Sequence, residues 1–211
     1  MDSSLFQRAL HLRTLYVHTD LVEVNRLMDT METIRKRASL KAHLSPRGVE
    51  PEKITKILDA ARMAPSGRNM QPWRFIVVRG KEKVENLVTR AFSEANQVAK
   101  AAPVIIVACA SPREDIGGGR DNSLFDVGLA VENLLLAATD LGLVTHTMRG
   151  INQDELKRLL HIPDDVGFVV ATPLAYPTEG SYAEAAQERL RSRTRKSLNE
   201  VAYSNVWGES F

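Results

Sequence analysis

The chain has a single cysteine, Cys109, among 211 residues. An intrachain disulfide is therefore impossible, and so is a cysteine-rich metal site. Cys109 lies inside the apolar run Val104-Ile105-Ile106-Val107-Ala108-Cys109-Ala110. A small buried hydrophobe is expected there rather than a nucleophile, since a reactive thiolate needs an accessible, electropositive setting. An excess of one charge is also missing: 28 Lys plus Arg stand against 26 Asp plus Glu, a net charge of +2. No overall field exists to draw in nucleic acid. Apolar runs are short, none approaching the roughly 20 residues that span a bilayer. Asp2, Arg8, Arg13 and Asp20 interrupt the first twenty residues, so neither a membrane helix nor a signal peptide is expected, and a cytoplasmic location is the default.

Catalytic side chains are equally scarce. His11, His18, His43, His146 and His161 form no HxH or HxxxH pair, which predicts no metal site. There is no GxSxG elbow and no Ser/His/Asp set that the sequence orders. The carboxylates are scattered over helix faces. No residue is nominated as a catalytic acid, base or nucleophile, a pattern that suits an enzyme whose cofactor carries the chemistry.

With 44% apolar and 26% charged residues, the composition is that of an ordinary globular domain long enough to bury a core. Residues 1–30 differ from the rest: Leu5, Phe6, Leu10, Leu21, Val24 and Met28 are enough for one or two short amphipathic helices but not for a core. They are expected to be a helical or partly disordered extension, with Met28 and Met31 as alternative starts, and 31–211 a single domain. Pro51 suits a first helical position, and Ile54, Ile57, Leu58 and Ala61 follow at helical spacing. Phe75–Val78 and Pro103–Ala110 read as buried strands, the second apolar on both faces. Val84, Leu87 and Val88 mark a helix. Ser111–Asn122 reads as a polar loop whose Gly117-Gly118-Gly119 lacks the Lys-Ser/Thr of a P-loop. A long helix through Val127, Ala130, Val131, Leu134, Leu135 and Ala138 ends near Gly142. Leu143–Met148 is strand-like, Asn152 with Glu155 resembles a helix cap, Gly167–Ala175 is the last clear strand, and 179–196 is helix-prone. Helices alternating with short strands give a layered α/β arrangement.

Three segments could carry binding chemistry. Arg35-Lys36-Arg37-Ala38-Ser39-Leu40-Lys41 is a solvated face, a nucleic-acid patch or an anion-binding corner. No aromatic residue is interleaved in it for base stacking. Arg191, Arg193, Arg195 and Lys196 form a second basic cluster about 150 residues downstream, either a charged tail or, with the first, the two halves of a phosphate site. Met63–Trp73 holds two prolines, an Asn, a Gln and a Trp between a helix and a strand, and reads as a rigid loop.

These segments resemble the FMN-dependent nitroreductases. Arg37-Ala38-Ser39-Leu40-Lys41 is similar to that family's amino-terminal Arg-x-Ser-x-Lys element. Ala64-Pro65-Ser66-Gly67-Arg68-Asn69-Met70-Gln71-Pro72-Trp73-Arg74-Phe75 matches its Ala-Pro-Ser-x-x-Asn-x-Gln-Pro-Trp-x-Phe loop. Asp126–Ala138 with Leu141-Gly142-Leu143 resembles its central helix, and Arg195 with Leu198 its closing segment. The resemblance spans residues 31 to about 203. It implies an α+β fold with a mixed sheet flanked by helices, in an intertwined homodimer. It implies that Arg37, Ala38 and Ser39 hold the phosphate and ribityl chain of FMN together with Arg193 and Arg195, and that Lys41 approaches the pyrimidine edge of the ring. Pro65, Ser66, Gly67 and Asn69 would come from the other subunit. Thr147, Met148, Arg149 and Gly150 would lie beside the flavin, with the last two backbone N–H groups near N5. NADH or NADPH would reduce the flavin, and a nitroaromatic or quinone acceptor would take the electrons in a ping-pong cycle.

The chain also departs from the family pattern. Arg149 stands in a run where relatives often carry Pro-x-Glu-Gly, which reverses the charge beside the flavin. Ala175 replaces a glycine before Tyr176-Pro177. The 110–122 region is too short for the helical lid of many relatives, which implies a more open site. Two other readings are a reductive dehalogenase or oxygen-dependent flavin enzyme of the same fold, and a redox-inactive, flavin-free binding protein.

Overall fold

The computed structural model describes residues 29–111 and 120–211. Most of the expected amino-terminal extension and the Gly117–Gly119 connector therefore lie outside the described residues. The element order is α1 (Thr30–Lys36), α2 (Pro51–Arg62), β1 (Trp73–Arg79), α3 (Lys81–Ala91), β2 (Val104–Ala110), α4 (Arg120–Asp140), β3 (Val144–Thr145), α5 (Gln153–Leu160), β4 (Gly167–Ala175) and α6 (Ser181–Arg191).

The four strands form one sheet in the order β1-β2-β4-β3, and every neighbouring pair is antiparallel. The parallel component of a mixed sheet is a single bridge, Ser39 to Thr145 at the β3 edge. β2 is buried along its whole length. Successive side chains point to opposite faces. Ile105, Val107 and Cys109 accordingly enter one core with α3 and α5 residues such as Val84, Leu87, Val88 and Leu156. Val104, Ile106, Ala108 and Ala110 enter a second core with Ile54, Ile57, Val127, Ala130 and Leu134 of α2 and α4. This two-sided burial is why the strand reads as a continuous apolar run.

Local chemistry sets the helix ends. Pro51 opens α2, where its missing N–H costs no hydrogen bond. Asn152 accepts from the Glu155 N–H at 3.1 Å and caps α5. Gly142, at φ +73°, turns the chain after α4 so that Leu143 N–H reaches Ala138 O at 2.8 Å. The expected Ser111–Asn122 loop is shorter than read, because α4 already begins at Arg120. Among the described residues no helix is long and apolar enough to cross a membrane.

Candidate functional site

The two basic clusters meet. Arg37, Ala38 and Ser39 after α1, and Arg189, Leu190, Ser192, Arg193, Thr194 and Arg195 at the end of α6 and beyond, line a cavity of about 200 Å³. Arg193 makes the join by donating to Arg37 O at 3.2 Å and Arg35 O at 3.1 Å. Arg37 donates to Ser39 Oγ at 3.3 Å. Its Nε lies 3.5 Å from Glu132 Oε1 on α4. The cavity thus presents four guanidinium groups and three hydroxyls with no acid in its lining. Forked donors of this kind match the oxygens of a phosphate.

The cradle is anchored to the sheet by the Ser39–Thr145 bridge. His146 follows, half-buried, with its backbone N–H donating to Thr172 Oγ1 at 3.2 Å. Its Nδ1 is buried without a hydrogen-bond partner. Burial first, and then the positive charges of Lys41 and Arg189, lower its pKa below the ordinary value, so the neutral ring is favoured.

The next segment is held from both sides. Met148 is buried and exchanges both backbone hydrogen bonds with Ala171, at 2.8 and 3.0 Å. Gly150 O accepts from Ser93 N–H at 2.9 Å and from the Asn96 side chain at 3.1 Å. Arg149 and Gly150 are exposed, and among the described residues their N–H groups have no protein acceptor. A Cβ at Gly150 would sit 2.8 Å from Ser93 Oγ and 3.1 Å from Asn96 Nδ2, so a larger residue there needs these side chains to turn aside.

The Pro65–Asn69 loop contains a 3-10 turn over Gly67–Asn69. Pro65, Gly67 and Asn69 are exposed. Gly67 N–H donates to Asp126 Oδ2 at 3.1 Å. Gly67 and Arg37 thus both dock on α4, at Asp126 and Glu132. Those two positions lie roughly 120° apart around the helix, so the loop and the cradle occupy different faces of it. Within one chain the structure brings Arg37, Ser39, Arg193 and Arg195 together, but not Pro65, Ser66, Gly67 and Asn69 with them.

Sequence reasoning missed Arg189 as a cradle member, and it passed over Asp126 and Glu132 as ordinary helix residues. The signal for Arg189 was its place two residues before the Arg191–Arg195 cluster. For the carboxylates it was their place beside the apolar Val127–Val131 and Leu134–Ala138 stretches of the helix. Cys109 is buried, and burial pushes its thiol up to about 11, partly opposed by the Lys157 charge, so it is no nucleophile. Among the described residues no group of His, Cys, Asp and Glu could hold a metal ion.

Comparison with known proteins shows the family and the fold. The profile of the Nitroreductase family matches residues 34–102 and 93–176. A Methanothermobacter thermautotrophicus protein with the provisional name NADH dehydrogenase/NAD(P)H nitroreductase is 39% identical over 158 residues, 72% of this chain and 79% of its own. A crystal structure of a nitroreductase family protein from Clostridium novyi superposes with a TM-score of 0.65 at 31% identity, over 87% of this chain and 97% of that one. A provisionally named nitroreductase from Desulfovibrio desulfuricans, solved in complex with FMN, gives a TM-score of 0.70 at 25% identity, over 83% and 95%. The chain belongs to the nitroreductase family, and its fold is the α+β nitroreductase fold.

Proposed function

We propose that the protein is an FMN-dependent oxidoreductase that draws electrons from NADH or NADPH. The observation that carries this reading is the convergence of Arg37, Arg189, Arg193 and Arg195 on one small cavity with Ser39, Ser192 and Thr194. The donor set fits the phosphate of FMN. When bound, FMN would supply the two-electron chemistry, taking a hydride at N5 and reducing an electron-poor acceptor of the nitroaromatic or quinone type in a ping-pong cycle.

The chain's own residues bind and orient. Arg193 doubles as a brace, since its bonds to the Arg35 and Arg37 carbonyls fix the backbone that presents Ser39. Lys41, from its match to the family's Arg-x-Ser-x-Lys element, would supply a cation to stabilise negative charge on the reduced ring. The uncommitted N–H groups of Arg149 and Gly150, on a segment pinned to β4 and to Ser93, supply donors held in a fixed direction.

We infer that two copies complete each site. The Pro65–Asn69 loop docks on a different face of α4 from the cradle, which suits a loop that serves the neighbouring subunit. Apolar surface supports pairing. Met31 and Ile34 on α1, Met63 just after α2 and Phe125 on α4 are exposed, and Leu198, Val201, Val206, Trp207 and Phe211 are exposed on the tail, Trp207 at 89%. Large exposed apolar side chains of this kind suit burial against a second copy.

The visible spectrum of the purified protein tests the reading. Flavin bands and release of about one FMN per chain on heating are expected, with bleaching on anaerobic addition of NADH or NADPH. A colourless protein that takes up no added FMN overturns it.

A further inference from the structure

The loop between α2 and β1 holds three residues with side chains at positive φ: Arg68 at 48°, Asn69 at 59° and Gln71 at 51°. Left-handed backbone is disfavoured in L-residues, and it persists only where surrounding structure over-determines it. Several bonds are internal to the loop. Gln71 N–H donates to Ser66 Oγ at 3.0 Å, and the Gln71 side chain donates to Asn69 O and Oδ1 at 3.2 and 3.1 Å. These bonds move with the loop and cannot fix its place. Three others reach the rest of the fold. Arg74 of β1 donates to Gln71 O at 3.1 Å. Ser111 N–H donates to Pro72 O at 2.8 Å and holds the far end. At the near end Gly67 N–H donates to Asp126, 59 residues away.

Asp126 is an unusual anchor. It is 8% exposed, on the helix whose neighbours Val127 and Ala130 are fully buried. Among the described residues no cation pairs with it, and Gly67 N–H is its hydrogen-bond donor. A buried carboxylate without a counter-ion weakens a fold relative to an apolar side chain. Packing therefore does not explain it. We propose that Asp126 is a positioning residue: its carboxylate sets the Pro65-Ser66-Gly67 segment, which leads into the left-handed Arg68, Asn69 and Gln71, in the one placement that meets the flavin of the neighbouring subunit. The proposal rests on the flavin reading above and adds to it the group that holds the loop in register.

The test uses the full chain with three substitutions. Asp126→Ala removes the acceptor. Asp126→Asn keeps an oxygen that can accept from Gly67. Leu134→Ala, in the core face of the same helix, destabilises α4 without touching the loop. Amide hydrogen exchange of residues 65–71 is measured on FMN-free protein, and FMN affinity by fluorescence titration. Asp126→Ala is expected to speed exchange in the loop at least tenfold and to weaken FMN at least tenfold. Asp126→Asn should stay within threefold of wild type on both, as should Leu134→Ala despite its lower melting temperature. Equal effects of Asp126→Ala and Leu134→Ala would overturn the proposal, as would an Asn variant as damaged as the Ala variant. Gly67→Pro removes the donor instead, and Ser66 already has the extended backbone (φ −144°, ψ 154°) that a following proline requires. It should reproduce the Ala phenotype, and it decides the matter if Asp126→Ala does not fold. If wild type takes up no FMN, the flavin reading fails, and the exchange data alone decide whether Asp126 sets the loop.

Discussion

Arg195→Ala is the sharpest probe of the cradle. Arg195 is exposed at the cavity rim, and its protein hydrogen bond goes to the neighbouring Thr194 O at 2.7 Å. Its removal therefore disturbs the fold little. A hydrogen bond to a charged group contributes about 1.5–3 kcal/mol when well shielded. Exposure and salt screening reduce that, and about 1–2 kcal/mol is expected here, a loss of roughly 5–30-fold in FMN affinity. Arg90→Ala is the matched control. Arg90 pairs with Glu155 at 2.9 Å on the α3–α5 side, away from the cavity lining, and its loss should leave FMN affinity within twofold. The assay is quenching of FMN fluorescence on titration into flavin-free protein, at two ionic strengths. Wild-type affinity should fall more steeply with salt than that of Arg195→Ala, because the variant has one fewer screened contact. Equal affinities for the two variants would remove Arg195 from the phosphate site.

Other outcomes follow from single contacts. Gly150→Ala brings a Cβ to 2.8 Å from Ser93 Oγ, the tip of an exposed side chain that can rotate away, and should cost no more than about 1 kcal/mol, seen as a small fall in melting temperature. Glu50 accepts from the Tyr176 hydroxyl, which with the backbone and the nearby Arg47 and Lys53 lowers its pKa from 4.5 to about 2. A carboxylate with a depressed folded-state pKa stabilises above its ordinary value, and that contribution is lost as pH falls from 4.5 towards 2. Melting temperature should therefore drop less steeply over this window in Tyr176→Phe than in wild type, and parallel curves would refute the linkage. Cys109, with its thiol raised to about 11 by burial, should react with a disulfide reagent at pH 8 at least about 100-fold more slowly in the native protein than in denaturant. Fast native reaction would mean that β2 is not buried as described.

Local chemistry was legible from the residues alone. Pro51, the Asn152–Glu155 cap and Gly142 marked helix ends, because each effect is settled within a few residues of backbone. The unbroken Val104–Ala110 run announced a strand covered on both faces, since alternate side chains must find two cores. The Pro-Trp loop and the Arg-x-Ser-x-Lys element signalled the family. What the sequence left open was convergence. Arg37 and Arg193 are 156 residues apart, and only the pairing of Ser39 with the β3 edge and the path of α6 bring their guanidinium groups to one cavity. Arg189 joined the cradle by the same route. Asp126 read as one of many carboxylates scattered over helix faces, and nothing local says that its oxygen meets a backbone N–H 59 residues earlier. Hydrophobic periodicity fixes which face of an element is buried, but the partner of a buried polar group is chosen by tertiary packing, and the anion cradle and the loop anchor are both choices of that kind.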